Sequence, residues 1–117
     1  MAIQRFEDIV GWQKAQDLAV EIYGIFGVSK DFGFKDQMTR AAVSISNNIA
    51  EGFDRSSNVD FSRFLYIALA SCSEVKSMLY LAERLKYISK QIKDDLLKVS
   101  EEISKIIRGL IKSMSNK

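Results

Sequence analysis

A stripe of polar residues is the part of this sequence whose residue types and spacing could do chemistry. Its members recur at steps of three and four residues along one side of a predicted helix: Gln37, Arg40, Ser44, Asn48 and Glu51. Ser44 and Asn48 lie between the cation and the acid, so the stripe can form a buried hydrogen-bonded network that fixes how helices pack. With Arg55 one turn further on, the same stripe could instead line a groove for a ligand or a nucleic acid.

The composition excludes most kinds of catalytic site and metal-binding site. The chain has no histidine and a single cysteine, which excludes Ser-His-Asp triads, Cys-His nucleophile pairs and thiolate clusters. The cysteine, Cys72, falls on an apolar helical face, and this predicts an inert buried thiol. A carboxylate enzyme that uses Glu51 is the remaining catalytic hypothesis. We predict no catalytic residue, metal, cofactor or small-molecule substrate.

Basic side chains form the second group of candidates. The chain carries 17 Lys and Arg against 15 Asp and Glu, a net charge of +2, which allows a local basic patch but not a strongly basic arm. The predicted contacts to nucleic-acid phosphates are Arg40, Arg55, Arg63, Lys105, Arg108 and Lys112. Basic residues near the end of a helix also complement its dipole, and tyrosines such as Tyr66 could stack on bases or fill the core.

Long uninterrupted elements must position these residues, since the chain has no proline. Apolar residues recur at helical spacing in four segments, which predicts helices at residues 6–26, 34–54, 59–86 and 90–114. Ser57 or Asn58 is suited to cap the third helix, and Ser89 the fourth. Short loops between four amphipathic helices predict an all-α, antiparallel up-down four-helix bundle, as one domain over residues 1–117.

Each predicted helix contributes one apolar stripe to the core. The second contributes Phe34, Met38, Ala41, Ile45 and Ile49; the third includes Phe64, Leu65, Ile67, Ala68, Cys72 and Leu85; and the fourth contributes Ile92, Leu96, Val99, Ile103, Ile106, Leu110 and Met114. The steps of four and three in the fourth stripe are typical of a heptad-like seam.

The middle segments of the second and third helices carry no charge. Apolar surface beyond what one core requires usually marks an interface, so we predict a homo-oligomer. The predicted contact residues are Val43, Ser46, Ala50, Tyr66 and Ala68. No apolar run approaches the roughly 18 residues of a spanning helix, and a lone cysteine fits a reducing compartment. We therefore expect a cytoplasmic protein that does not bind a membrane.

Several short motifs give the chain a resemblance to a known family. They include Phe6-Glu7-Asp8, Trp12-Gln13-Lys14-Ala15, Arg40-Ala41-Ala42-Val43-Ser44-Ile45, Asn48-Ile49-Ala50-Glu51-Gly52, and Phe61 followed by Phe64-Leu65. In their order and spacing, which cover residues 6–87, the chain resembles bacterial four-helix bundle proteins of the 23S rRNA intervening-sequence type. That family also includes the accessory variability proteins of diversity-generating retroelements.

The resemblance implies an antiparallel bundle that assembles into a pentameric ring. For retroelement members it also implies binding of nucleic acid and a reverse transcriptase through a basic surface, whereas intervening-sequence members have no settled activity. This chain departs from the family in its low net charge and in having Ser29 and Ser46 where prolines are usual. Two functions remain: a non-enzymatic oligomer that binds RNA or a ribonucleoprotein, or a structural scaffold, such as an accessory subunit for a reverse transcriptase, that binds no nucleic acid.

Overall fold

The structure, a computed structural model, describes residues 3–115 and consists of helices joined by short connections. A 3₁₀ helix at Phe6–Asp8 is followed by α1 (Val10–Phe26), α2 (Phe32–Phe53), α3 (Asn58–Arg84) and α4 (Lys90–Ser115). Within residues 3–115 there is no strand, so the predicted all-α class with four helices is confirmed. The outermost residues of the predicted 1–117 domain lie outside the described range.

Each α-helix packs against two others around the bundle. α1 contacts α2 and α4, and α3 also contacts α2 and α4. Across the α2–α3 contact, Gln37 bonds to Glu74 and Ser44 bonds to Ser71, so residue numbers rise in one helix as they fall in the other. The result is an elongated body whose Cα atoms extend over 46 × 21 × 19 Å.

Different segments of the chain meet at the two ends of the bundle. At one end, the start of α1, the α2–α3 connection and the end of α4 meet, and Ile9, Ser57 and Met114 line a common groove there. At the other end, the Tyr87 hydroxyl donates a hydrogen bond of 2.6 Å to Asp31. We call these the Ser57 end and the Tyr87 end.

Side-chain caps define where three of the helices begin. Ser57 Oγ accepts a hydrogen bond from the Asp60 amide at 3.1 Å, and Ser89 Oγ accepts one from the Ile92 amide at 3.1 Å. Ser57, rather than Asn58, is therefore the cap of α3, and the predicted cap at Ser89 is confirmed. Asp31 caps α2 by accepting from the Phe34 amide at 3.1 Å. This cap places the first residue of α2 at Phe32, two residues earlier than predicted.

The predicted first and third helices need correction at their ends. Ile9 is extended, with φ −76° and ψ 119°, and its side chain is buried in the core. The segment before it is therefore a separate 3₁₀ turn rather than the start of α1. α3 stops at Arg84 because Lys86 adopts φ 65° and the Tyr87 amide returns to the Ala82 carbonyl at 2.9 Å, a left-handed termination of the Schellman type.

The core confirms the α2 stripe and corrects parts of the others. The five predicted α2 positions are all buried, whereas Ile67 of α3, Leu85 just after α3 and Ile92 of α4 are exposed. In α4 the buried residues shift from the predicted Ile106 to Ile107, and Ser104 is buried beside it. A straight helix with 3.6 residues per turn drifts away from a strict heptad, so one seam cannot remain on the same face throughout α4.

α3 meets, by length and composition, a simple criterion for a membrane span, with a mean hydropathy of 1.2 over its most apolar window. Core helices of soluble proteins meet the same criterion. Here Glu74 bonds to Gln37 of α2, and Lys76 pairs with Glu101 of α4, so the charged residues of α3 serve contacts within the bundle. Only 33% of that window is buried, which leaves apolar surface on the outer side of the helix.

α2 and α3 approach each other closely at Gly52. A Cβ atom at this position would lie 2.6 Å from Phe64 Cβ and 3.1 Å from Phe61 Cδ1. Phe64 Cβ is fixed to the backbone, so the clash can be relieved only by moving the helices apart. The absence of a side chain at Gly52 therefore sets the α2–α3 spacing at the Ser57 end.

We expect Gly52→Ala to lower the free energy of unfolding by about 1–3 kcal/mol, the usual cost of overpacking a tight contact. Gly109→Ala is the matched control, because nothing lies within 4 Å of a Cβ at that helical position, and it should raise stability by up to about 1 kcal/mol through helix propensity. Urea unfolding followed by circular dichroism measures both. A Gly52→Ala protein as stable as the wild type would contradict the proposed spacing.

Candidate functional site

Part of the polar stripe on α2 joins α2 to α3. The Ser44 and Ser71 hydroxyls are 2.8 Å apart, and Asn48 Nδ2 donates to both the carbonyl and the hydroxyl oxygen of Ser44, at 2.8 and 2.9 Å. Gln37 donates to Glu74 at 3.2 Å. Gln37 and Ser44 thus bond across to α3, and Asn48 supports Ser44 from within α2, so three of the five predicted network residues have a structural role.

The two charged members of the stripe lie outside these contacts. Arg40 is exposed and donates to Asp36 of its own helix at 2.8 Å, and Glu51 is exposed. Together with Tyr23 and Val43 they line an open groove of about 400 Å³ on the outer side of α2. The prediction that Arg40 and Glu51 belong to a buried network is therefore wrong, because both side chains point towards solvent.

Two of the five predicted interface residues are corrected. Ala68 and Ser46 are buried within the chain itself, and Ser46 Oγ accepts a hydrogen bond of 2.9 Å from Gln16 of α1. Neither residue is available to a second copy of the chain. Val43 and Ala50 are half-buried on α2, and Tyr66 is exposed on α3.

Arg55 and Arg63 meet over one aromatic ring at the Ser57 end. The Arg55 guanidinium lies 4.8 Å from the centroid of the Phe64 ring, and that of Arg63 lies 5.5 Å from it. Arg63 also bonds to Asp60 at 3.2 Å. Cation–π contacts hold the two cations beside each other, although Arg55 belongs to the α2–α3 connection and Arg63 to α3. Phe64 was predicted to be a core residue, and its spacing in the sequence gives no sign of these two contacts.

Arg108 and Lys112 lie on the same side of the bundle as Tyr66. A groove of about 360 Å³ between α3 and α4 has the following lining: Tyr66, Leu69, Arg108, Ile111, Lys112 and Ser115. The Tyr66 side chain is 58% exposed. Leu69 and Ile111 are partly buried against the core and give the groove an apolar floor, while the cations belong to its rim.

Five of the six predicted phosphate contacts therefore fall into two groups, Arg55 and Arg63 beside the Phe64 ring, and Lys105, Arg108 and Lys112 along one face of α4. Arg63 and Tyr66 are three residues apart on α3, and Lys105, Arg108 and Lys112 follow at steps of three and four on α4, so each is adjacent to the next on its helix surface. We call this surface the basic band; it consists of Arg55, Arg63, Tyr66, Lys105, Arg108 and Lys112. Arg40 lies in the separate groove with Tyr23 and is not part of the band.

Among residues 3–115, the cations of the band have carboxylate partners less often than the other cations do. Lys14, Lys76 and Lys90 pair with carboxylates. Lys93 bonds to Asp94 and Glu83. Both hydrogen bonds raise the pKa of Lys93, and the one to Asp94 contributes more. Among residues 3–115, the band's cations form only one salt bridge, from Arg63 to Asp60. The band therefore presents positive charge that the folded chain does not neutralise.

The lone cysteine lies in a closed contact between α3 and α4. Cys72 is buried, its thiol donates to the Ser100 carbonyl at 3.2 Å, and the Ser104 hydroxyl donates to its Sγ at 3.2 Å. Burial raises the pKa of the Cys72 thiol, which keeps it protonated and unreactive. Within residues 3–115 no three metal-ligating side chains come together.

We expect Cys72 to resist a thiol-specific reagent in the folded protein. Because reaction requires local or global opening of the bundle, the rate should be at least about a hundredfold lower than in denaturant. As the chain has one cysteine, absorbance of the released chromophore reports this site alone. Rapid stoichiometric modification of the folded protein would show that the α3–α4 contact is open.

A solved structure shares this architecture. The crystal structure of a protein with unknown function from the S23 ribosomal protein family of Bacteroides thetaiotaomicron VPI-5482 superposes with a TM-score of 0.83 and 31% sequence identity, over 88% of this chain and 99% of that chain. No curated protein matches the chain.

The sequence itself matches a family model. The model for the 23S rRNA-intervening sequence protein covers residues 7–109, which include α1, α2, α3, most of α4 and most of the basic band. By sequence and by fold, this chain belongs to the 23S rRNA-intervening sequence protein family.

Proposed function

We propose that this chain is a non-enzymatic, antiparallel four-helix bundle that binds RNA, alone or within a ribonucleoprotein, through the basic band. The observation that carries the proposal is the groove in which Arg108 and Lys112 flank an exposed Tyr66. Unneutralised cations attract phosphates by releasing counterions, and aromatic rings bind bases. The protein would act in the cytoplasm and would need neither a cofactor nor a small-molecule substrate.

The relatives lend support of a general kind. The family description refers to 23S rRNA-intervening sequences, and the solved relative is assigned to a ribosomal protein family. Both descriptions place such proteins in a ribosomal context, which agrees with an RNA or ribonucleoprotein partner. The low net charge of +2 favours modest affinity per chain, and a homo-oligomer would strengthen binding by presenting several bands together.

Reversing two charges of the band tests the proposal. The Arg108→Glu/Lys112→Glu protein should bind total cellular RNA more weakly, and its plot of log affinity against log salt should be shallower by about 1–2 because two phosphate contacts are lost. Lys30→Glu/Arg84→Glu is the matched control. It makes the same change in net charge at exposed positions near the Tyr87 end, and it should leave both quantities nearly unchanged.

Fluorescence anisotropy with labelled RNA at several salt concentrations measures both effects. Wild-type binding that does not depend on salt, or no binding at low salt, would contradict an electrostatic RNA interface. Equal losses in the two double variants would show that net charge matters and that the band does not.

A scaffold made of several copies is the second proposal, and the outer side of α3 favours it. Ile67 is 44% exposed and Leu81 is 45% exposed on this helix, and the neighbouring outer face of α2 carries Val43 and Ala50 in a segment without charge. Burying such a patch against another copy is the usual way to remove it from water. We propose a homo-oligomer, with a ring of five suggested by the family resemblance. In this proposal the assembled surface engages a protein partner.

Ile67→Glu should convert the oligomer into smaller species, because a buried unpaired carboxylate is costly at an interface. Val20→Glu is the control, since Val20 is 71% exposed on α1 and lies outside the proposed contact. Native mass spectrometry, with circular dichroism to verify folding, measures the outcome. A wild-type monomer, or an Ile67→Glu protein of unchanged mass, would contradict this interface.

A further inference from the structure

We infer that the RNA held by the basic band is single-stranded, with one unpaired base stacked on Tyr66 and the neighbouring phosphates held by Arg108 and Lys112. The inference rests on the proposed RNA-binding function and specifies the form of RNA at that site.

The composition of the groove matches the two halves of a nucleotide. It is lined by the partly buried side chains of Leu69 and Ile111, by the exposed Tyr66, and by the exposed cations Arg108 and Lys112. A nucleobase has an apolar π face, and the backbone beside it carries charged phosphates. An aromatic ring beside unneutralised cations is the combination that sequence-tolerant single-strand binding uses.

Tyr66 is also free to make this contact. The side chain is 58% exposed, so the bundle core uses little of its surface. Tyr80, which is 54% exposed on the same helix, differs in its surroundings. The Lys93 ammonium lies 5.1 Å from the Tyr80 ring centroid and is paired with Glu83 and Asp94. Of these two tyrosines, only Tyr66 lies beside cations that have no carboxylate partner in the described part of the chain.

The rest of the band extends the site along a strand. Arg55 and Arg63 are held against the Phe64 ring, at 4.8 and 5.5 Å, and Arg63 is one helical turn from Tyr66. A flexible strand with a base on Tyr66 can therefore pass from the α4 cations towards these guanidiniums. Guanidinium planes held in place bind phosphates and also stack on unpaired bases.

A duplex would gain nothing from Tyr66. In an A-form helix the base faces are stacked inside, and proteins contact mainly phosphates and 2′-hydroxyl groups across the shallow minor groove. A duplex could use the cations of the band but could not place a base on the ring. Preference for an unpaired strand, lost when the ring is removed, is therefore specific to the inferred geometry.

The test compares three labelled probes of equal length: oligouridylate, which stacks weakly on itself, a fully paired RNA duplex, and an abasic ribose-phosphate strand. Tyr66→Ala should weaken oligouridylate binding by about tenfold, the effect of losing one base–aromatic stack. Tyr66→Phe keeps the ring and should bind like the wild type. Tyr80→Ala is the matched control and should also bind normally. The duplex and the abasic strand should not respond to Tyr66→Ala.

The outcomes separate this inference from the proposed function. Equal effects of Tyr66→Ala on all three probes, or no effect on oligouridylate, overturn stacking on Tyr66, while sensitivity to Arg108→Glu/Lys112→Glu still supports RNA binding by the band. Wild-type binding that favours the duplex also overturns the single-strand inference. Absence of RNA binding to the wild type overturns the proposed function and this inference together.

Discussion

The close contact of α2 and α3 at Gly52 determines much of the surface at the Ser57 end. Because position 52 has no Cβ, Phe64 and Phe61 can pack directly on the α2 backbone. That packing places the Phe64 ring where Arg55 of the α2–α3 connection and Arg63 of α3 both lie over it. A wider spacing would separate the two cations. The same steric constraint thus supports the end of the core and one half of the basic band.

Small residues with satisfied hydrogen bonds extend this close packing along the bundle. Ser44 and Ser71 join α2 to α3, whereas Ser100 and Ser104 bond to Cys72 between α3 and α4. None of the buried side-chain polar atoms in the described part of the chain lacks a partner. Each bond requires a specific register, since an unpaired polar group in this interior would be costly. These contacts orient α3, which carries Tyr66, relative to α4, which carries Arg108 and Lys112.

The sequence predicts the helices well and their orientations less well. Periodicity identifies four helices because an amphipathic helix must bury one face, and Ser57 and Ser89 are recognisable caps. Periodicity does not reveal that Ala68 and Ser46 face the chain's own core while Ile67 faces outwards. A helical segment without charged residues has no polar face that would mark its solvent side. The cations of the band could be named from the sequence. Their proximity depends on helix pairing, and the role of Phe64 depends on a contact distance, so neither could be read from spacing.

The distribution of salt bridges favours a use for the band beyond folding. Lys105, Arg108 and Lys112 follow one another at steps of three and four, where like charges destabilise a helix by about 0.2–0.5 kcal/mol per pair. The helix dipole offsets part of that cost near the end of α4, but it does not account for Arg55 in the α2–α3 connection or for Arg63 on α3. The other cations show that this chain can place carboxylates beside its lysines, as at Lys93. A surface that leaves Arg55, Arg108 and Lys112 without such partners is less stable than it could be, and a polyanion that supplies the missing charge would remove that cost on binding.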